Sequence, residues 1–422
     1  MGIPTTLRTC LGLLLFLSLR LAEQAVAQTS VTPGISLEAA YTGDIVANLH
    51  GGRREEAIYL DNINLTFTLD GEQLLGWRGG TLFFYGLGNQ GGSPSRLAGA
   101  AQGVNNIEAP NSWRLYEALV QQILLDDHFS LLAGLYDINT EFDVLRTASL
   151  FINSSHGIGP DLSQSGKNGP SIFPYTSLGI RAKAFLGDAL YLQFAALDGV
   201  PCRPGTPHGT HILLRREDGL LLNGEMALLL GKEEPEAAPV SSRTKHARHR
   251  RINRLQDAPY HLKIAIGGWA YTTTFEDVRG PGHPDAGSRG VYLLGELTPF
   301  HESDREQGLA VFARLGFADR RVNRFDRYFG AGFVYTGPFP DRDEDQVGAA
   351  LAAAHNGAPY RAAQRNAADL VEDTETALEF SYRAQITERF ALQGDLQYIL
   401  NPDTNPTRSN AFLTGLRFEL SL

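Results

Sequence analysis

Cysteine and methionine are almost missing from this chain, and no long apolar stretch follows its first 27 residues. The cysteines are Cys10 and Cys202. Cys10 lies in a segment expected to be removed, so no intrachain disulfide can staple the remainder. It also precedes the apolar stretch, the wrong order for lipid attachment, while Cys202 reads as an ordinary loop residue. The lack of any later run of about 20 apolar residues excludes a membrane helix. Excess positive charge is missing too: a formal net charge of -10 argues against a nucleic-acid partner, whose binder shows a basic surface first. None of these absences excludes a membrane barrel, which meets lipid with alternate residues only.

What is present begins with an export leader. Arg8 supplies positive charge, Leu11 to Leu19 form an apolar stretch, and Ala25-Val26-Ala27 is a small-x-small cleavage pattern. The stretch is too short to span a bilayer, so residues 1–27 are expected to be a cleaved signal peptide. The mature chain would start at Gln28.

Period-2 alternation is the main signal in the rest. Phe412, Thr414, Leu416, Phe418, Leu420 and Leu422 fall on one side of a strand. Ala411, Leu413, Gly415, Arg417, Glu419 and Ser421 fall on the other. Thr376 to Ile386 is cleaner still, with Leu378, Phe380, Tyr382, Ala384 and Ile386 opposed to Glu379, Ser381, Arg383 and Gln385. Ile63, Leu65, Phe67 and Leu69 oppose Asn62, Asn64, Thr66 and Thr68 in the same way. About sixteen such segments, near the roughly 9–11 residues a tilted membrane strand needs, follow one another. They are 35–46, 58–69, 80–89, 112–124, 129–138, 176–185, 189–198, 219–230, 262–273, 290–299, 308–318, 328–337, 346–355, 376–386, 390–400 and 411–422. With 45 glycines for turns, this predicts an all-β chain: a transmembrane antiparallel β-barrel of 16 strands.

The connections agree. Short links at 126–128, 186–188 and 387–389 alternate with long ones at 89–111, 138–175, 199–218, 274–289 and 401–410, as short periplasmic turns alternate with long external loops. The expectation is one closed domain over 28–422, with no plug and no second globular unit. One link breaks the alternation. Residues 232–260 fall where a short turn belongs, yet carry Arg243, Lys245, Arg248, Arg250, Arg251 and Arg254 with His246 and His249. The plain reading is a solvated, disordered insert. The sharper one is contact with an anionic partner such as a cell-wall polymer.

Several motifs resemble the OprB-type carbohydrate-selective porins. They include Gly134-Leu135-Tyr136-Asp137-Ile138-Asn139-Thr140-Glu141-Phe142-Asp143 and Phe151-Ile152-Asn153-Ser154-Ser155-His156-Gly157-Ile158-Gly159-Pro160. Gly169-Pro170-Ser171-Ile172-Phe173-Pro174-Tyr175-Thr176-Ser177-Leu178-Gly179 follows at similar spacing, and Leu416-Arg417-Phe418-Glu419-Leu420 closes the chain. The resemblance runs over nearly the whole mature chain. It implies a sixteen-stranded outer-membrane barrel that admits small sugars such as glucose by passive diffusion, without cofactor or metal. It departs from the family in ending on Leu422 where an aromatic is usual, and in the basic insert. It also lacks the N-terminal envelope-anchoring module of cyanobacterial relatives.

A sugar channel must replace the water around several hydroxyls and offer rings to the apolar faces of a pyranose. The loop 138–175 is the expected constriction, longer than a hairpin requires and rich in Gly, Pro, Ser and Asn. Asn139, Glu141, Asp143, Asn153, Ser154, Phe173 and Tyr175 are its candidate lining residues; the alternative role is to fix the loop to the wall. Arg181, Lys183, Glu379, Arg383, Asp395, Arg417 and Glu419 fall at water-facing strand positions, since a midplane Arg or Lys facing lipid would cost about 2–4 kcal/mol. They either touch the permeant or pair with one another. Trp269 falls on the same side, with Lys263 and Tyr271, as a stacking platform.

Other chemistry finds less support. Gly166-Lys167 lacks the flanking residues of a phosphate loop, and 341–345 begins like a calcium loop but has Gln346 and Ala352 where Gly and Glu belong. A membrane-embedded barrel hydrolase would need a Ser–His pair on an outward face, which the sequence does not offer, so no enzyme is expected. A channel of broad or non-sugar selectivity and a wall-anchoring barrel remain as competing readings. Outer-membrane lipid is the expected surroundings; porins of this size often form homotrimers, though no stretch here marks an interface.

Overall fold

The computed structural model describes residues 33–203, 205–231, 260–302, 307–367 and 371–421. The expected leader, and all of the basic insert except Tyr260, lie outside the described residues. The strands are β1 (Ile35–His50), β2 (Ala57–Asp70), β3 (Gly80–Gly91), β4 (Ser112–Leu124), β5 (Phe129–Tyr136) and β6 (Ser177–Leu186). Then come β7 (Leu190–Asp198), β8 (Leu220–Leu230), β9 (Leu262–Phe275), β10 (Ala286–His301) and β11 (Gly308–Ala318). The last are β12 (Phe325–Thr336), β13 (Gln346–Asn356), β14 (Thr374–Thr387), β15 (Phe390–Leu400) and β16 (Ala411–Ser421). Each expected segment corresponds to one of these, with the widest differences at His50 and Ala286, where strands run further toward the long-loop end than their alternation suggested.

Each strand pairs antiparallel with its sequence neighbours, and β1 pairs with β16 to close the ring. Closure leaves no sheet edge, so the ladder satisfies the strand backbone internally, as lipid requires. The side-chain period then sorts the two faces. On β14, Leu378 and Phe380 are exposed on the outside while Ala377, Glu379, Ser381 and Arg383 are buried inside. On β2, Leu65 and Phe67 are outside and Asn62, Asn64 and Thr66 inside. Ile180, Phe194, Ile266, Val291, Phe317 and Leu416 continue the apolar outer band. Trp113, at the loop end of β4, and Tyr398, at that end of β15, stand where interfacial anchors belong.

Turns 125–128, 187–189 and 388–389 lie at one end; loops 92–111, 137–176, 199–219 and 401–410 lie at the other. At the short end, Gly187 adopts φ 67°, which lets β6 reverse into β7 with three residues. Two of the long loops do not stand off into solvent. They turn back into the ring and pack against its inner face.

Candidate functional site: the lumen and its docked loops

The loop 137–176 carries only short helical turns, so most of its backbone N–H and C=O groups need partners from elsewhere. The inner wall supplies them. Wall carboxylates take the N–H groups: Glu225 accepts from the Asp143 N–H (2.9 Å), Glu296 from Thr147 (2.9 Å), and Glu379 from Ile152 and Asn153 (3.1 Å for the latter). Wall cations and amides take the carbonyls. Lys263 donates to Val144 (2.7 Å), Gln193 to Glu141 (2.8 Å) and Gln393 to Leu150 (2.7 Å).

Arg314, alone among apolar neighbours on β11, does most. Its guanidinium donates to the carbonyls of Asp143 (2.7 Å), His156 (3.0 Å), Ser155 (3.1 Å) and Gly157 (3.2 Å). Its Nε also lies 2.9 Å from the Asp143 carboxylate, with both side chains about 2% exposed. One planar fork thus gathers two separate turns of the loop.

The loop 92–111 docks in the same manner. Glu375 accepts the N–H groups of Ala101 (2.8 Å) and Gln102 (2.7 Å), and Gln397 donates to the Val104 carbonyl (2.9 Å). Asn105 donates to Asp44 (2.6 Å), which Arg417 also grips with two bonds of 2.8 and 2.7 Å across the closing β1–β16 seam. Arg417 reaches on to the Asn106 side chain at 2.9 Å. Sequence length alone marked this loop; nothing in it announced that it folds inward.

These contacts place the expected site residues. Glu141 accepts from Tyr136 (2.6 Å) and Arg181 (2.8 Å), and Lys183 stands 3.8 Å away, over the Tyr191 ring at 4.3 Å. Burial works to raise the Glu141 carboxyl, and the Arg181 and Lys183 charges overcome it, holding it at about 2. Asn153 bonds Gln397 (3.2 Å) and is fully enclosed. Asn139 ties the loop to itself through the Phe142 and Gly157 carbonyls (3.2 and 3.1 Å). Arg383 makes a two-bond grip on Glu419 (2.9 and 3.1 Å), and Asp395 accepts from Ser381 (2.6 Å) and Gln397 (2.9 Å). Thus Arg383 and Arg417 pair with Glu419 and Asp44, while Glu379 spends itself on loop amides. Phe173, Tyr175 and Asn139 are only partly buried, with Arg114 over the Tyr175 ring at 4.7 Å. Ser154, fourth residue of its motif, donates its N–H to Gly103 (2.8 Å), joining the two docked loops.

Two buried loop acids behave oppositely to Glu141. Burial pushes Asp143 up to about 6 against the pull of Arg314, and burial with the Asp143 charge pushes Asp161 up to about 7. Burial and the Arg314 charge push His156 down to about 3, so its 3.5 Å approach to Glu379 is not an ion pair at neutral pH. Among the described residues, no group of three or more His, Cys, Asp or Glu is placed to hold a metal ion.

The family model for "Carbohydrate-selective porin, OprB family" matches residues 54–422. The chain belongs to that family. Porin B of Pseudomonas aeruginosa is 25% identical over 418 residues, spanning 92% of this chain and 87% of its own. The high-pH structure of Pseudomonas putida OprB superposes with a TM-score of 0.76 at 20% identity, covering 92% of this chain and 94% of that one. The outer-membrane channel DcaP of Acinetobacter baumannii shares the architecture with a TM-score of 0.54 at 10% identity, over 94% of this chain and all of that one. This OprB-family porin is therefore a sugar-selective channel of the bacterial outer membrane rather than an enzyme of that membrane. Its lumen is organised by charges that hold loops.

Proposed function

We propose that this porin passes small neutral sugars such as glucose by passive diffusion, with the loop 138–175 as its constriction. The observation that supports this reading most is the docking of that loop on charged and amide groups of the wall from β6 to β15. A passage narrowed by a rigidly bonded polar loop has fixed hydrogen-bonding groups on both sides. Such a passage suits a polyhydroxylated solute that must exchange water for protein contacts.

Within it, the partly buried Asn139, Phe173 and Tyr175 meet the permeant. Glu141, Asp143, Asn153, Arg181, Lys183 and Glu379 act through the position of that loop, Arg417 acts through the loop 92–111, Asp395 orients Gln397, which bonds both loops, and Arg383 with Glu419 borders the short-turn end. Residues 1–27 are removed on export, and the barrel wall sits in outer-membrane lipid.

Planar-bilayer recording with added glucose tests the proposal. Ion current blocked in a saturable, concentration-dependent way is expected. Current that glucose leaves untouched would instead make the pore a general one.

A further inference from the structure

The inner wall of β8 and β9 contains polar atoms that neither strand nor loop satisfies. Asn223 and Trp269 sit opposite each other in the β8–β9 register, 1% and 3% exposed. Among the described residues, neither amide atom of Asn223, nor the Trp269 indole N–H, has a hydrogen-bond partner. A buried donor or acceptor without a partner carries an unrecovered desolvation cost, so three together mark a place made for a missing hydrogen-bonding group.

The same place begins a line of aromatic rings. The Trp269 ring stands 6.1 Å from Tyr271 at 82°, and Tyr271 stands 5.2 Å from Phe275 at 85°. On alternate inward positions these rings climb β9 from mid-lumen to the long-loop rim. The indole lies flat against β10 because residue 290 is glycine: a Cβ there would stand 2.5 Å from its ring atoms. The strip is roofed by the long loop. Ser165 brings its hydroxyl within 3.2 Å of the Tyr271 hydroxyl, and Gly166, at φ +72°, comes so close that a Cβ would stand 2.6 Å from that same oxygen.

We propose that Asn223 and the Trp269–Tyr271–Phe275 strip form a loop-covered carbohydrate subsite for one pyranose ring. The rings contact the apolar face of the sugar. The Asn223 amide and the Trp269 N–H bond its hydroxyls, and a further hydroxyl replaces Ser165 at Tyr271 when residues 162–166 lift. This deepens the reading of the channel as a sugar pore and rests on it.

The test uses the full-length porin in planar bilayers, with glucose and maltose as probes, and compares wild type with Asn223→Leu and Trp269→Phe. Loss of one or two neutral hydrogen bonds should raise the half-blocking sugar concentration about fivefold for Asn223→Leu and about threefold for Trp269→Phe. Open-channel conductance in salt should stay at the wild-type value. Assembly is checked by heat-dependent gel mobility; Trp269→Phe keeps the ring and decides the matter if Asn223→Leu does not assemble. Unchanged sugar block in an assembled variant means an ordered water only, and overturns the subsite while leaving the sugar pore intact. A wild-type channel that neither sugar blocks would remove the parent reading and the subsite with it.

Discussion

Replacing Arg314 by Met should release the long loop from the wall without opening the barrel. Four loop carbonyls and the Asp143 carboxylate lose their partner at once. Breaking a buried ion pair by removing one member costs about 3–5 kcal/mol, because the other charge is left uncompensated. The sixteen-strand ladder does not involve this side chain, so the cost falls on loop docking. At about 1.4 kcal/mol per decade, that lowers the docked-to-undocked ratio by about two to three and a half orders of magnitude. Single-channel recording in salt should then show larger, noisier conductance than wild type, with weaker glucose block. The double variant Arg314→Met with Asp143→Asn leaves no stranded charge and should recover part of the wild-type conductance. A Met variant that assembles, keeps heat-dependent mobility and conducts as wild type would refute the argument that Arg314 holds the constriction.

Two further outcomes follow from other groups. Asp161, pushed up to about 7 in the docked loop, would titrate near 3.9 once undocked, so the docked form binds the extra proton between those values. The Asp161 contribution to docking is therefore fully present below about pH 4 and is lost as pH rises through 7; amide exchange over 158–166, corrected for intrinsic rate, should be faster at pH 8 than at pH 5, and Asp161→Asn should shrink the difference. Persistence of the full difference in that variant would assign it to another group. Arg417→Met strands Asp44 at the closing seam, at a cost of about 3–5 kcal/mol. The temperature at which the folded gel band disappears should fall, and an unchanged temperature would mean the seam does not depend on the pair.

The barrel was legible because its physics is local. Lipid outside and a polar lumen inside impose a period of two on each strand, and that period survives in the residues themselves, as in Leu378–Phe380 against Glu379–Ser381. The loop-end extensions were less visible, since beyond the lipid band the outer face no longer has to be apolar; Ser288 and Arg289 on β10 show no alternation to read. Inward direction was legible for Arg181, Glu379, Trp269 and Arg417. Their partners were not. Which wall charge meets which loop amide depends on how the loops thread the ring, a matter of contacts 82 to 274 residues apart, such as Asp143 with Glu225 or Ala101 with Glu375. Arg314 and Glu225 carried one usable sign, a lone charge at an inward position of an apolar strand. Asn223 carried none, because its distinguishing feature is the lack of a partner.

The chemistry of the docked loops bears on what the lumen can select. An irregular segment enclosed by protein must find a donor for each carbonyl and an acceptor for each N–H, or meet the desolvation cost of leaving them bare. This wall meets that need with acidic, basic and amide side chains, and the bonds made by its charged members are the stronger kind. Glu379 accepts from two amides, Arg314 serves four carbonyls and one carboxylate, and Arg417 grips Asp44 and Asn106. Charges so engaged do not reach into the passage as free poles. On the proposed reading, what faces a solute is the remainder: amides, hydroxyls and ring faces such as those of Asn139 and Tyr175. A lumen lined in that way discriminates by shape and hydroxyl geometry more than by the sign of a charge, which is the discrimination an uncharged sugar demands.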